Sequence, residues 1–305
     1  MTQPRHREPH PLGGDGLPFS KGLMARTLMA VGVSPVRAYE LARRVDEDLS
    51  KRGATAVDLE RLGTLAVASL GEERGEDAMR RLRRYLELTE LDLPVIVLVG
   101  GATGTGKSSV ATELAYRLGI TRVTSTDFIR QTMRAFFSQE FMPSIHYSSF
   151  EAGDGLLVPE EAEDPAIAGF LEQTRNVLVG VRASLDRALE EGWSMVLEGV
   201  HLVPGMLALP AAEALIVQCV LEIRDERQHA GHFYVRDAAS EGLRPVEKYL
   251  DRLPEIRRIQ DEIIKRASRE SVPVIATGTI EEALVEVMEL VLASVERLEK
   301  VGDRG

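Results

Sequence analysis

Eight residues constrain this chain more than any others: Gly101-Ala102-Thr103-Gly104-Thr105-Gly106-Lys107-Ser108. They follow an apolar, β-branched run, Val95–Val99, and precede a segment in which Val110, Leu114 and Leu118 recur at helical spacing. A G-x-x-x-x-G-K-[ST] loop between a strand and a helix is a phosphate cradle. Its glycines let successive backbone N–H groups turn inward, the helix N-terminus favours negative charge, and the lysine reaches the β and γ phosphates of a nucleotide. Gly101 to Ser108, with Ser109 beside them, are the candidate nucleotide-binding residues, and the Ser108 hydroxyl is a candidate Mg²⁺ ligand.

The rest of the chain can be read around this unit. Four more short β-branched runs, Arg122–Ser125, Ser194–Leu197, Leu215–Leu221 and Val272–Ala276, alternate with helical patterns at Val177–Leu189 and Ile256–Ala267. That alternation predicts an α/β fold with a mostly parallel, five-stranded sheet. Ser138–Pro165, with three prolines and two glycines, reads as long and irregular, hence functional or mobile. Upstream, Ser34-Pro35 reads as a helix start, and Ala38, Leu41, Ala42, Val45 and Leu49 continue it to Gly53. Thr55 and Asp58 have capping-box spacing before a second helix that ends at Gly71. A third carries Ala78, Leu82, Tyr85 and Leu86, and its arginines at 80, 81, 83 and 84 read as a phosphate contact or, more simply, as a solvated face. The chain divides into a flexible arm over 1–17, a helical domain over 18–90 and an α/β domain over 91–305.

Two carboxylates stand where chemistry would be placed. Asp127 follows the second strand at the carboxyl edge of the sheet, where open α/β sheets bind ligands. It reads as a contact to an acceptor hydroxyl or, more simply, as a helix N-cap. Arg130, one turn on, can hold an anion. Glu198 ends the third strand and can hold Mg²⁺ through water. His201, just beyond, reads either as a donor to an acceptor phosphate or as a satisfied loop histidine. After the fourth strand come Arg224, Arg227, His229, His232, Arg236, Arg244 and Lys248, with Gly231, Gly242 and Pro245 among them. This stretch reads as an arginine-bearing lid or as an exposed helix with paired charges.

Charge narrows the ligand class. The 305 residues carry 37 Lys and Arg against 48 Asp and Glu, a net charge of −11, which argues against nucleic acid or a membrane surface as the main partner. Residues 151–223 hold 3 basic and 13 acidic side chains, whereas 224–269 hold 11 and 9. A basic surplus inside an acidic chain points to a small anionic substrate. The single cysteine, Cys219, excludes an internal disulfide and suggests a reducing, cytoplasmic setting. No apolar stretch approaches the ~20 residues of a membrane span, the first residues are unlike a secretory signal, and the 6 histidines show no zinc-ligand spacing.

In order, GGATGTGKSSVATELAYRLGI, TSTDFIRQTMR, HYSS, VLEGVHLVPG, HFYVR and EKYLDRLPEIRRIQDEI resemble the 2-phosphoglycerate kinase family across Leu93–Thr277. The resemblance implies an adenylate-kinase-like P-loop core that moves the γ-phosphoryl group of ATP to the hydroxyl of 2-phosphoglycerate, with Mg²⁺. On that footing Lys107 neutralises nucleotide phosphates, Ser108 and Glu198 hold Mg²⁺, and Asp127 positions the acceptor hydroxyl. Arg130, His146 and His201 would meet the acceptor's phosphate and carboxylate, while Arg236 and Arg244 would close over the transferring group. Plant proteins with a similar core are linked to inositol phosphate metabolism, so another phosphorylated polyol or acid is an alternative acceptor. A protein that senses ATP without transfer is the alternative of another class.

PFSKGLMARTLMAVG and RLRRYLEL, within Pro18–Leu88, resemble an ATP-cone, a helical module that binds adenine nucleotides as a regulator. Such modules open with V-x-K-R-x-G; here the region reads Arg7-Glu8-Pro9-His10-Pro11-Leu12-Gly13-Gly14, leaving a docking role open. A cone suggests a homo-oligomer, while the apolar register of Ile280–Val301 equally suits a terminal helix packed on its own chain.

Overall fold

Strand β1 (Val95–Gly101) is buried along its whole length, as a continuous aliphatic run requires when both faces of a sheet are covered. The computed structural model in which this is seen describes residues 11–13, 19–156, 158, 162–209, 213–239 and 246–302. Strands β2 (Val123–Ser125), β3 (Met195–Glu198), β4 (Leu215–Glu222) and β5 (Val274–Ala276) complete a sheet of order β2-β3-β1-β4-β5. Every pair is parallel, with Val97 opposite Val196 on one side and Val217 on the other. All five expected runs are strands, in the α/β arrangement expected of a P-loop core. Because the chain leaves β1 toward neighbours on both sides, a crevice opens at the carboxyl ends of the strands.

Among the described residues seven helices surround this sheet or extend from it: α5 (Lys107–Leu118), α6 (Thr126–Phe136), α7 (Pro165–Glu190), α8 (Glu226–Ala239), α9 (Val246–Asp251), α10 (Leu253–Arg269) and α11 (Ile280–Gly302). Helix α7 begins a dozen residues before its apolar periodicity does, because Asp164 caps it, accepting from Ala166 and Ile167 N–H, and Pro165 takes the first position. Ile96, Leu98, Val177, Val181 and Leu197 fill one side of the sheet, and Val220, Phe233, Ile256 and Ile263 the other. Each such side chain contributes about 1.5–3 kcal/mol when fully buried. The stretch expected to be irregular contains two 3₁₀ turns, Pro143–His146 and Ser149–Gly155, packed on α7. Cys219 is buried on β4, and burial pushes its thiol up to about 12.

The chain falls into two compact units: Asp92–Ala115 with Gly119–Val291, which holds the sheet, and Met1–Leu91 with Tyr116–Leu118 and Leu292–Gly305. The second contains α1 (Lys21–Ala30), α2 (Pro35–Arg52), α3 (Leu59–Leu70) and α4 (Glu72–Glu90), with Met24, Leu28, Leu41, Leu62 and Leu82 buried. Arg117, 1% exposed, donates to the Met29 carbonyl at 3.2 Å. The capping pair expected at Thr55 and Asp58 is replaced by Asp58 alone, which accepts the Arg61 N–H at 2.7 Å, so the helix starts three residues later. The expected arm over 1–17 lies outside the described residues except for 11–13. There Leu12 is buried and its carbonyl accepts the Val57 N–H at 2.9 Å, so these residues are docked rather than free. Arg80 and Arg81 pair with Asp77, as a solvated helix face would.

Candidate active site

The phosphate loop leaves β1 at Gly101 and enters α5 at Lys107. Gly101, Gly104 and Gly106 all take positive φ, at 137°, 90° and 82°. The Ala102 carbonyl gathers the loop: it accepts from Thr105 Oγ1 at 3.0 Å and from Lys107 Nζ at 2.6 Å. The Lys107 ammonium therefore lies folded against the loop it would serve. Thr103 Oγ1 lies 3.5 Å from Ser149 Oγ in the second 3₁₀ turn, bringing the formerly irregular segment to the loop. Ser109 is exposed on the first turn of α5.

Ser108 and Glu198 meet at the carboxyl edge. The Ser108 hydroxyl donates to Glu198 Oε1 at 2.9 Å, and the glutamate is 7% exposed. A hydroxyl and a carboxylate are the hard oxygen donors that suit Mg²⁺, which keeps waters for its remaining positions. Among the described residues no cluster of three or more His, Cys, Asp or Glu side chains could hold a metal. A cleft of about 360 Å³ opens beside the pair, lined among others by Ser125, Phe128, Val123 and Thr124. That volume lies in the ~300–1,000 Å³ range of small-molecule sites.

Asp127 is the second residue of α6, whose N-cap is Ser125, accepting the Phe128 N–H at 3.0 Å. The capping reading of Asp127 is thereby excluded. Its side chain is 65% exposed, and the protein atoms beside it partly desolvate the carboxyl. Enclosure raises the carboxyl, and this is outweighed by the charges of His201, Arg130 and Lys107 and by the Arg130 hydrogen bond, which together hold it below its ordinary value. His201 is itself driven to about 4 by burial. With its carboxyl below the ordinary aspartate value, Asp127 is ionised at neutral pH.

Of three residues expected to meet the acceptor, His201 and His146 have structural duties instead, and Arg130 is partly committed. His201 is fully buried; its Nδ1 lies 2.8 Å from Thr126 Oγ1 and its Nε2 2.9 Å from Gln173 Oε1, so both ring nitrogens are engaged and it is the satisfied histidine. His146 donates through Nε2 to the Phe137 carbonyl at 2.9 Å. Arg130, 7% exposed, spends Nη1 on the carbonyls of Ile145 and Tyr147 at 2.8 and 2.9 Å, and Nε on Asp127 at 3.3 Å. Nη2 is its remaining group toward a ligand. For Arg130 the reason is burial: the backbone turns at 143–147 leave carbonyls that need donors, and it supplies those for Ile145 and Tyr147.

Sequence reasoning missed Thr126, Gln173 and Asn176. Gln173, 0% exposed, donates to the Ser144 and Tyr147 carbonyls, and Asn176 to Ser144 Oγ at 3.0 Å. Together with His201 they fasten the 3₁₀ segment to the start of α6. Gly199 makes this approach feasible: at φ 154°, a Cβ there would lie 1.8 Å from Thr126 Oγ1. No local pattern marks Gln173, which is one polar residue in an amphipathic helix.

The basic stretch is largely consumed by ion pairs. Lys248 pairs with Glu151 at 2.8 Å, Arg252 with Asp154 at 3.3 Å, Arg258 with Asp164 at 3.1 Å and Arg224 with Glu222 at 2.7 Å. Arg257 donates to the carbonyls of Ile223 and Arg224. The surplus expected to mark an anionic ligand thus answers the acidic surplus of the preceding segment. Arg236 falls on α8 with its side chain outside what is described, and Arg244, Gly242 and Pro245 lie outside the described residues.

A parallel sheet switching direction at β1, a glycine-rich loop into α5 and a serine–glutamate pair at its mouth define a P-loop kinase-type protein. No family model matches the chain. The 2-phosphoglycerate kinase of Methanopyrus kandleri is 36% identical over 276 residues, 90% of this chain and 84% of that protein. Those of Pyrococcus furiosus and Methanothermobacter thermautotrophicus are 37% and 38% identical, over 94% and 85% of this chain and 93% and 85% of their own. The chain belongs to the 2-phosphoglycerate kinase family. A shikimate kinase from Bacteroides thetaiotaomicron aligns with 69% of the chain and 99% of its own at TM-score 0.33 and 17% identity, a likeness too slight to bear on function. Among the described residues no helix is long and apolar enough to cross a membrane.

Proposed function

We propose that this protein is an ATP-dependent kinase that transfers the γ-phosphoryl group to the hydroxyl of 2-phosphoglycerate, giving 2,3-bisphosphoglycerate and ADP. The observation that carries this reading is the meeting, at one sheet edge, of the phosphate loop, the Ser108–Glu198 pair and the ionised Asp127. The names of the relatives supply the acceptor. Lys107 would exchange its bond to Ala102 for the β and γ phosphates, beside the loop amides. Ser108 and Glu198 would hold Mg²⁺, which when bound neutralises phosphate charge. Asp127 would accept a hydrogen bond from the acceptor hydroxyl. A carboxylate held below its usual range is a weak base, so its contribution is orientation rather than deprotonation, and a loose phosphoryl-transfer transition state asks for little more.

Arg130 Nη2 would face the acceptor's anionic groups, with Arg236 and Arg244 closing from the lid side. Few uncommitted cations among the described residues suit a small acid better than an inositol polyphosphate. We take the reaction to run in the cytoplasm, in keeping with a single cysteine that can form no internal disulfide. Residues 18–90 we read as an ATP-cone-like module. ADP release measured across 2-phosphoglycerate, 3-phosphoglycerate, glycerate and inositol phosphates tests the assignment. Turnover confined to 2-phosphoglycerate is expected, and equal turnover on an inositol phosphate would reassign the acceptor.

A further inference from the structure

Helix α8 grips the phosphate loop with two histidines. His229 Nε2 lies 2.7 Å from the Thr103 carbonyl and His232 Nδ1 2.9 Å from the Gly104 carbonyl. A carbonyl oxygen can only accept, so each ring presents its N–H on that side. Phe233, 1% exposed and stacked on the His229 ring, closes the contact: a Cβ on Gly104 would lie 2.7 Å from the Phe233 ring and 2.9 Å from His229 Nε2.

We propose that His229 and His232 are positioning residues of the phosphate cradle, acting through the two peptide planes they hold. In a planar trans peptide the C=O and the following N–H point in opposite directions. Pulling the Thr103 carbonyl toward α8 aims the Gly104 N–H away from it, and pulling the Gly104 carbonyl does the same for Thr105. Among the described residues the Gly104 N–H has no partner, and the Thr105 N–H makes only a 3.4 Å contact with the Ala102 carbonyl. These are the donors a nucleotide phosphate would take. The grip sets them before the ligand arrives, so less ordering is left for binding.

His229 also carries a mark that packing alone does not explain. It is fully buried, and its Nδ1 has no hydrogen-bond partner among the described residues. An aliphatic residue would fill the same space without an orphaned nitrogen, whereas only a donor at Nε2 can hold the Thr103 carbonyl.

The inference rests on the nucleotide-binding half of the proposed function. The two donors sit at different ring positions, so amide replacements discriminate between them. The glutamine amide nitrogen falls near Nε2 and the asparagine amide nitrogen near Nδ1. In the full-length chain, Mg·ADP affinity by calorimetry should be kept in His229→Gln and His232→Asn. It should weaken about tenfold in His229→Asn and His232→Gln, the loss expected for one well-placed hydrogen bond. Thermal unfolding would be followed for all four, and if one site fails to fold, the crossed pair at the other site still decides. Equal ADP affinity in all four variants overturns the proposal, as does a uniform loss irrespective of amide position. Wild-type protein that binds ADP in this crossed pattern but does not phosphorylate 2-phosphoglycerate would overturn the acceptor assignment and leave the inference standing. Wild-type protein that does not bind ADP would overturn both.

Discussion

Gly199→Ala tests whether the end of β3 positions the start of α6. The new Cβ would lie 1.8 Å from Thr126 Oγ1 and 2.7 Å from Thr126 Cβ, at a backbone φ of 154° that side chains rarely adopt. Thr126 is the first residue of α6 and is bonded to the buried His201 ring, so it cannot yield without breaking that bond and moving Asp127 beside it. A lost buried hydrogen bond costs about 1 kcal/mol and overpacking about 1–3 kcal/mol. The sum, about 2–4 kcal/mol, lowers the melting temperature of a unit of this size by roughly 5–15 °C. A shift of about 1 Å in a group that orients the acceptor can cost about 10²-fold in kcat. KM for ATP should change little, because the phosphate loop is not displaced. Thr126→Ala, which loses the hydrogen bond without the clash, should cost about 1 kcal/mol, and adding it to Gly199→Ala should cost less than the sum of the two. Thermal unfolding and steady-state ADP release read all of these. A Gly199→Ala protein with wild-type melting temperature and kcat would refute the coupling of β3 to α6.

Other outcomes can be stated. Lys107→Ala should lower turnover by about 10²–10³-fold, as removing a charge-stabilising donor does, while leaving the circular dichroism spectrum unchanged. Glu198→Gln should raise the Mg²⁺ concentration needed for half-maximal rate more than it raises KM for the acceptor, since Glu198 shares its contact with Ser108 rather than with the acceptor's side of the cleft. Acid should weaken the fold through His201. Its folded pKa is depressed from 6.5 to about 4, so the unfolded chain takes up a proton first, and stability present above 6.5 falls by on the order of 3 kcal/mol as pH drops toward 4. In urea titrations across that range, His201→Gln should show a shallower acid loss than wild type. Arg252→Ala, which removes a half-exposed ion pair to Asp154, should cost less than about 1 kcal/mol and leave activity intact.

What the chain reveals before folding is what it encodes locally. The phosphate loop is contiguous, the five strands are short apolar runs, and Asp127 and Glu198 stand out because each ends such a run. What stayed hidden depends on distant partners. His201 is 28 residues from Gln173, and nothing near either shows that they bond. The charge imbalance was misleading for the same reason. The acids at 151–164 and the bases at 248–258 are lopsided only when counted apart; across separations of 94 and 98 residues they neutralise each other. The lid stretch was read for its arginines, whereas among the described residues the hydrogen bonds from α8 to the phosphate loop come from its histidines.

Phosphoryl transfer itself can be watched by ³¹P NMR in a single turnover, with protein in excess over Mg·ATP and 2-phosphoglycerate. The γ-phosphate resonance of ATP should disappear as ADP and a second phosphomonoester signal on the glycerate grow together. Loss of ATP to ADP and free phosphate with the 2-phosphoglycerate signal unchanged, or no loss of bound ATP at all, would contradict assignment of this protein as a 2-phosphoglycerate kinase.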